Sequence, residues 1–568
     1  MTKQLIFTAF AIIMLGVLSA AALDREQEYF KTPDDWELSL GDQKDYFEAR
    51  LEKFCAAGNI AIQSLDYVCG IEHSLQKIFK DKYWFKGNIA SNVSLAMARN
   101  ERESFQVAVL PLKDKPLGGM TAVMGPLVNS SGQQFPETSV KIFNVEYVET
   151  TKACYPVTHR GWWPDPLVPM QPADVPPAET RVFWIEIRSP KNIPAGKYQG
   201  ILTISGTNTA PFKINLNIEV WDFALPKEQI VQTCTWLSSA NCGKKYGKDR
   251  ELSMYQAYAE YLLDRKINPL DIGKTYVKSN DYSVVTENLA KGFQHGLARF
   301  EIPRLQGEEL KKYCDYLKEK GWFDKAMIYG YKDEPHPRDY PAFRKNSEAI
   351  RQTVPDLKIF MAESPHPGLY GAVDIWWSSM PSDALEAIRN QLSAGKEVWW
   401  YRCGIPVRLE YYRPFYEYPS DILLDRPSID IRILYLMIWK FRMTPATFFY
   451  CGMQWPGGFE KWPAAPWPTR AWPWNGDGYI VYPGKNGPLP SIRLECLTDG
   501  IEDYEYLHIL KTVLEKAKNA SAEDIEAAKK LLSVPPELVV YTYHYNKDPN
   551  ALLSFRRQVA EMILKLSR

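Results

Sequence analysis

Residues Ala326–Pro337 read AMIYGYKDEPHP. Two neighbouring acids, Asp333 and Glu334, close an apolar, aromatic run, and Pro335 follows them. Cleaving a glycosidic bond needs an acid to protonate the leaving oxygen and a negative group to stabilise an oxocarbenium-like centre. Most retaining enzymes take these acids from separate strands, about 5–5.5 Å apart. Adjacent residues on a strand point to opposite faces. Asp333 and Glu334 can therefore serve one substrate only if the backbone turns at the strand tip. Pro335, which cannot donate to a ladder, ends the strand there. Adjacency then suits a substrate-assisted reaction, in which the sugar's own 2-acetamido oxygen attacks the anomeric carbon. The shorter Asp333 would orient the acetamido N–H and stabilise the oxazolinium charge. The longer Glu334 would be general acid, then general base for water. A neighbouring charge raises the pKa of one member of such a pair, as an acid working near neutrality requires. The competing reading is a solvated loop pair, with Glu334 capping a helix.

The residues around the pair sort by the same chemistry. His336 and His366 occupy parallel Pro-His-Pro contexts. Their spacing, taken with Asp333, Glu334 and Asp339, matches no metal-ligand motif, so neither metal nor cofactor is expected. His336 is assigned to sugar hydroxyls, with a plain loop role as the alternative. A 2-acetamido group needs an apolar wall for its methyl and a donor for its carbonyl, which Trp and Tyr supply. Trp377, Trp399, Tyr401 and Tyr450 lie near the ends of candidate strands and are assigned to that wall. Alternate residues of the same strands must fill a barrel interior, so each is either wall or core. Trp455 belongs to a Trp-rich stretch suited to a stacking rim or to packing the long loop, and Asn475 and Asp477 can bind hydroxyls. Arg493, Glu495, Asp499 and Asp503 read as local ion pairs at a helix start.

The elements that must hold these residues alternate strand and helix. Eight candidate strands are Val231–Trp236, Asn268–Ile272, Leu297–Pro303, Ala326–Tyr331, Leu357–Ala362, Ala372–Trp377, Glu397–Arg402 and Ala446–Tyr450. Helical periodicity fills most gaps. Eight such repeats predict a (β/α)8 TIM-type barrel, whose working end is the C-terminal tip of its strands, where Asp333 and Glu334 sit. Before it, short alternating runs with Gly, Pro and Asn between them (Ser104–Leu110, Val140–Val148, Arg181–Ile187, Gly200–Ile204 and Phe212–Val220) predict an antiparallel β-sandwich. The Pro- and Trp-rich Tyr155–Pro177 reads as a long loop. The layout is a signal peptide over 1–22, a helical segment over 23–80, the sandwich over 81–226, the catalytic barrel over 227–480 and a helical C-terminal region over 481–568.

Lys3, the apolar run Leu5–Leu18 and Ala20-Ala21-Ala22 have the pattern of an export signal, with no Cys to carry a lipid anchor. The chain is expected to be secreted or periplasmic; the alternative is an uncleaved anchor. Lys+Arg and Asp+Glu both count 68, so nothing attracts nucleic acid or an anionic membrane. No later segment is apolar enough to span a bilayer, so no integral membrane association is expected. Nine cysteines are few and odd in number for this length, leaving at least one thiol outside any intrachain disulfide.

Three stretches together, Tyr331–Pro335, the NERESFQVAV strand over Asn100–Val109, and GDGYIVYPG with GPLPSIRLECLTDGIEDYEYL over Gly476–Leu507, resemble glycoside hydrolase family 123. The resemblance runs from about Tyr83 to the C-terminus. It implies a β-sandwich followed by a (β/α)8 barrel. It further implies an exo-acting β-N-acetylgalactosaminidase using the substrate-assisted retaining mechanism, with the family's Asp-Glu pair at Asp333 and Glu334. The substrate would be a glycan or glycolipid. Two rivals stay open: a hydrolase of the same architecture acting on a sugar without a 2-acetamido group, and a non-catalytic carbohydrate-binding surface protein.

Overall fold

The computed structural model describes residues 40–150, 161–278, 281–378, 385–402, 422–443, 446–450, 467–468 and 474–568. The signal segment and Trp455 lie outside the described residues.

Twelve strands build two facing sheets: β1 Tyr67–His73, β2 Asn88–Ile89, β3 Asn92–Arg99, β4 Arg102–Pro111, β5 Leu117–Met124, β6 Val128–Asn129, β7 Val140–Glu149, β8 Trp162–Pro169, β9 Ala173–Val175, β10 Arg181–Arg188, β11 Gly196–Thr207 and β12 Phe212–Ala224. One sheet runs β2-β1-β4-β10-β7 with β8 on β7; the other runs β3-β12-β11-β5-β9 with β6 on β11. These strands pair antiparallel except β3, which lies parallel to β12. Inward residues such as Phe105, Val107, Val109, Phe183 and Ile185 meet Leu202, Ile204, Leu216 and Ile218 between the sheets. The opposite face of the first sheet, through Ala108, Leu110, Val182 and Trp184, joins the core of the α/β region. A sheet buried on both faces loses the polar/apolar alternation, so β4 is buried along its whole length.

Two expectations need correction. The segment over 23–80 is not helical throughout: a helix covers Leu40–Gly58, and Tyr67–His73 is strand β1, seated between β2 and β4. Its apolar run is short enough to fit either period, and β-branched and aromatic residues favour the sheet. Gly70 fits there because an added Cβ would lie 2.2 Å from the Phe85 ring. Nor is Tyr155–Pro177 one long loop, since Trp162–Pro169 pairs with β7. Its prolines sit on an edge strand, where a missing N–H costs no ladder bond.

The second region carries eight strands: β13 Thr233–Trp236, β14 Ile267–Pro269, β15 Phe300–Ile302, β16 Ala326–Tyr329, β17 Lys358–Met361, β18 Ile375–Ser378, β19 Glu397–Arg402 and β20 Ala446–Tyr450. They form one sheet in the order β14-β13-β20-β19-β18-β17-β16-β15, and every pairing is parallel. Helices such as Glu251–Leu263, Gly307–Glu319, Tyr340–Thr353 and Leu385–Ser393 cross between strands. The sheet curls strongly. β13 and β15 are six places apart, about 29 Å on a flat sheet, yet Trp236 Nε1 donates to Glu301 Oε2 at 2.8 Å. Among the described residues no ladder joins β14 to β15. There the turn Leu270–Gly273 closes on β15, so tightly that a Cβ on Gly273 would lie 2.1 Å from the Phe300 ring.

A buried ionic seam ties the two regions to the helix Ile492–Lys516. Arg493, fully buried, donates to Asp165 of β8 at 3.0 Å and to the carbonyls of Ile422, Gly476 and Tyr479 at 3.0, 2.8 and 2.7 Å. Arg432 reaches Asp503 at 2.7 Å and Asp499 at 3.0 Å. Arg265 reaches Glu495 at 2.8 Å and Glu186 of β10 at 3.3 Å. Arg556 reaches Glu103 of β4 at 2.8 Å and Asp503 at 3.2 Å. Arg493, Glu495, Asp499 and Asp503, expected to form local ion pairs, instead form buried pairs with residues distant in sequence. Helical spacing reveals which charges share a face, not what that face meets.

Candidate active site

β16 stops at Tyr329, and the Gly330 N–H still bonds the Phe360 carbonyl at 2.9 Å. A Cβ on Gly330 would fall 2.2 Å from the Phe343 ring, so glycine lets the helix Tyr340–Thr353 approach the strand tip. The chain then turns. Glu334 has φ +42°, a left-handed conformation rare for a non-glycine residue. The residue before a proline is normally extended, so this geometry is held by its surroundings. Pro335 is buried; the His336 N–H bonds Asp339 at 3.2 Å, and Lys332 pairs with Asp339 at 2.9 Å. The left-handed residue interrupts the strand's face-to-face alternation between Asp333 and Glu334.

The two acids meet different partners. Asp333 Oδ1 accepts the Tyr329 hydroxyl at 2.5 Å. The same Tyr329 oxygen accepts the Ala362 N–H at 3.3 Å, and the Arg304 guanidinium lies 4.6 Å from the Tyr329 ring centroid. Burial, then the charge of Asp333, pushes the Tyr329 phenol up. Glu334 is solvent-accessible, yet partial burial and the Asp333 charge raise its carboxyl above the usual range. From the tip of neighbouring β17, half-buried Glu363 is raised by burial and by the charge of Glu334; its Oε1 accepts the Ser364 N–H at 2.9 Å. Among the described residues no group of three or more His, Cys, Asp or Glu is placed to hold a metal ion.

Beneath this tip lies an aromatic interior. Trp236, Tyr329, Phe360, Trp377, Trp399 and Tyr401 form one buried cluster with Cys234, Leu270, Met327, Ala362 and Ile375. Trp377 sits 4.7 Å from Phe360, 4.9 Å from Trp236, 5.7 Å from Trp399 and 5.9 Å from Tyr401, centroid to centroid. Trp377, Trp399 and Tyr401 are therefore interior residues, not an exposed wall. They occupy alternate, inward positions, which is the core alternative their spacing allowed. Trp399 Nε1 is committed to Glu397 at 3.0 Å, whereas the buried Trp377 indole N–H has no partner among the described residues. Tyr450 ends β20; its side chain lies outside the described residues. Asn475 and Asp477 are buried, with Asn475 donating to Asp425 at 2.7 Å, so they do not line an open sugar site. His336 Nδ1 accepts the Arg338 N–H at 3.4 Å and caps the turn Pro337–Asp339, as His366 caps Pro367–Leu369.

Tyr329, Glu363, Arg304 and Trp236 escaped the sequence reading. Tyr329 was signalled by period two, since it shares the inward face of β16 with Met327. Glu363 was signalled by an echo: Glu363-Ser364-Pro365-His366-Pro367 repeats Asp333-Glu334-Pro335-His336-Pro337, with Glu363 at the place of Asp333.

The catalytic-domain model of glycoside hydrolase family 123 matches residues 244–510, and the N-terminal-domain model of the same family matches residues 81–206. No curated protein matches this chain. Among solved structures, a family 123 glycoside hydrolase from Clostridium perfringens, studied for the details of glycolipid glycan hydrolysis, aligns with a TM-score of 0.66. That alignment has 13% identity and covers 89% of this chain and 99% of that one. A family 39 glycoside hydrolase from Bacteroides cellulosilyticus WH2 aligns over 72% of this chain and 81% of its own, at 10% identity and a TM-score of 0.30, too low to bear on the fold. The family models span both the sandwich and the α/β region, and the chain belongs to glycoside hydrolase family 123.

Proposed function

We propose that this glycosidase releases a β-linked 2-acetamido sugar, N-acetylgalactosamine, from a glycan or glycolipid by a retaining, substrate-assisted route. Asp333 accepts the acetamido N–H and stabilises the oxazolinium; Glu334 protonates the leaving oxygen, then deprotonates water. The observation that carries the reading is the unequal treatment of two adjacent acids. Asp333 is fixed by a phenol, while Glu334 has no hydrogen-bond donor among the described residues and a raised carboxyl, the state of a general acid. The curled eight-strand sheet is read as a closed (β/α)8 barrel with the site at its C-terminal mouth. The Leu5–Leu18 run supports reading the chain as exported, secreted or periplasmic.

Glu363 favours a second reading, a sugar without a 2-acetamido group. It supplies an acid on a separate strand, as ordinary double displacement requires. A thiazoline mimic of the oxazolinium separates the two. Competitive inhibition by the galacto-configured thiazoline, weakened in Asp333→Asn, supports assisted catalysis. No inhibition, with turnover abolished in Glu363→Ala, supports double displacement.

A further inference from the structure

The Tyr329 hydroxyl joins two strands and one acid. Its oxygen accepts the Ala362 N–H at 3.3 Å and lies 2.5 Å from Asp333 Oδ1. A backbone N–H can only donate, so the phenol's single proton is free to point only at Asp333. Asp333 Oδ1 is therefore an acceptor already in use. Its second oxygen has no protein donor among the described residues. The ring itself cannot swing away: it sits 3% exposed in the interior cluster, 4.7 Å from Phe360, with Arg304 over its face at 4.6 Å. Ala362 ends at the tip of β17, so the position of the phenol is set by the sheet, not by the exposed loop that carries Asp333.

From this geometry we infer that Tyr329 is a positioning residue of the glycosidase: it ties up Oδ1 of Asp333 and leaves one oxygen, held in one orientation, for the acetamido N–H of the substrate. The inference rests on the role given to Asp333 under the proposed function. It adds that the division of labour between the adjacent acids originates in the interior layer of the sheet. Glu334, one residue on and beyond reach of the phenol, is left to carry the transferable proton.

The test uses the full chain with aryl and alkyl 2-acetamido-2-deoxy-β-D-galactosides. Tyr329→Phe keeps the ring and removes one charge-assisted hydrogen bond, so kcat is expected to fall about 10- to 100-fold. The loss should be the same for good and poor leaving groups, with KM changed by less than about threefold. Asp333→Asn should lose at least as much, and the double variant no more than Asp333→Asn alone. A kcat for Tyr329→Phe equal to wild type, a loss confined to poor leaving groups, or losses that multiply in the double variant would each overturn the inference. Thiazoline affinity is an independent readout. It should fall with kcat in Tyr329→Phe while affinity for the free sugar product stays unchanged; equal falls in both would mean a merely structural role. Wild-type kcat in Asp333→Asn would overturn the proposed function itself.

Discussion

At the scale of single residues, the site is an argument about where one proton resides. Glu334 is raised first by partial burial and then by Asp333, so removing the Asp333 charge must lower it. Carboxyl-carbon NMR titration of Glu334 should show its midpoint moving to lower pH in Asp333→Asn; an unmoved midpoint would mean that the two acids do not sense one another. A raised folded-state value also means that the folded chain holds this proton more tightly than the unfolded chain. Stability from Glu334 is therefore lost as pH rises through its raised range, and the ionised form is a cost above it. Glu334→Gln should melt higher than wild type at pH 8 and no higher at pH 4, while turnover of alkyl glycosides falls about 10²- to 10⁴-fold. Aryl glycosides with good leaving groups should lose much less. Equal losses on both substrates would contradict its role as general acid.

At the scale of elements, the tip depends on how closely one helix approaches one strand. Gly330→Ala places a Cβ within 2.2 Å of the Phe343 ring, and overpacking of this kind costs about 1–3 kcal/mol. Urea unfolding should report that loss, and kcat should fall because the displaced segment carries Asp333 and Glu334. Each of the eight strands of the parallel sheet overlaps a run read from the sequence, although the strand expected over Asn268–Ile272 is Ile267–Pro269, followed by the turn Leu270–Gly273. Their inward alternation was legible too. What period two does not encode is depth within the curled sheet: Trp377, Trp399 and Tyr401 alternate as wall residues would, and fill the interior. The turn that carries Asp333 and Glu334 was legible because a proline follows an apolar strand there. Tyr329 was not, since its role depends on an N–H from the next strand, 33 residues away. β1 was misread because its run is too short to separate a strand from a helix.

At the scale of the molecule, the sandwich and the α/β region are joined by charge as much as by apolar contact. The two sequence blocks over Asn100–Val109 and Gly476–Leu507 meet in the buried seam, where Arg556 bridges Glu103 and Asp503. Removing one partner of a buried pair costs about 3–5 kcal/mol, because an uncompensated charge stays behind. Arg432→Ala should therefore lower the unfolding free energy by that order, whereas Lys511→Ala, whose pair with Glu515 is exposed, should change it by less than about 0.5 kcal/mol. No helix among the described residues is long and apolar enough to cross a membrane. Six cysteines, at 55, 69, 234, 242, 314 and 496, are free and buried; those at 154, 403 and 451 lie outside the described residues. The proposed function makes the sugar's own acetamido group the nucleophile. The most direct measurement is the initial rate on a 4-nitrophenyl 2-acetamido-2-deoxy-β-D-galactoside beside its 2-hydroxy counterpart. Turnover of the first with none of the second is the expected result; equal rates on both would contradict the account.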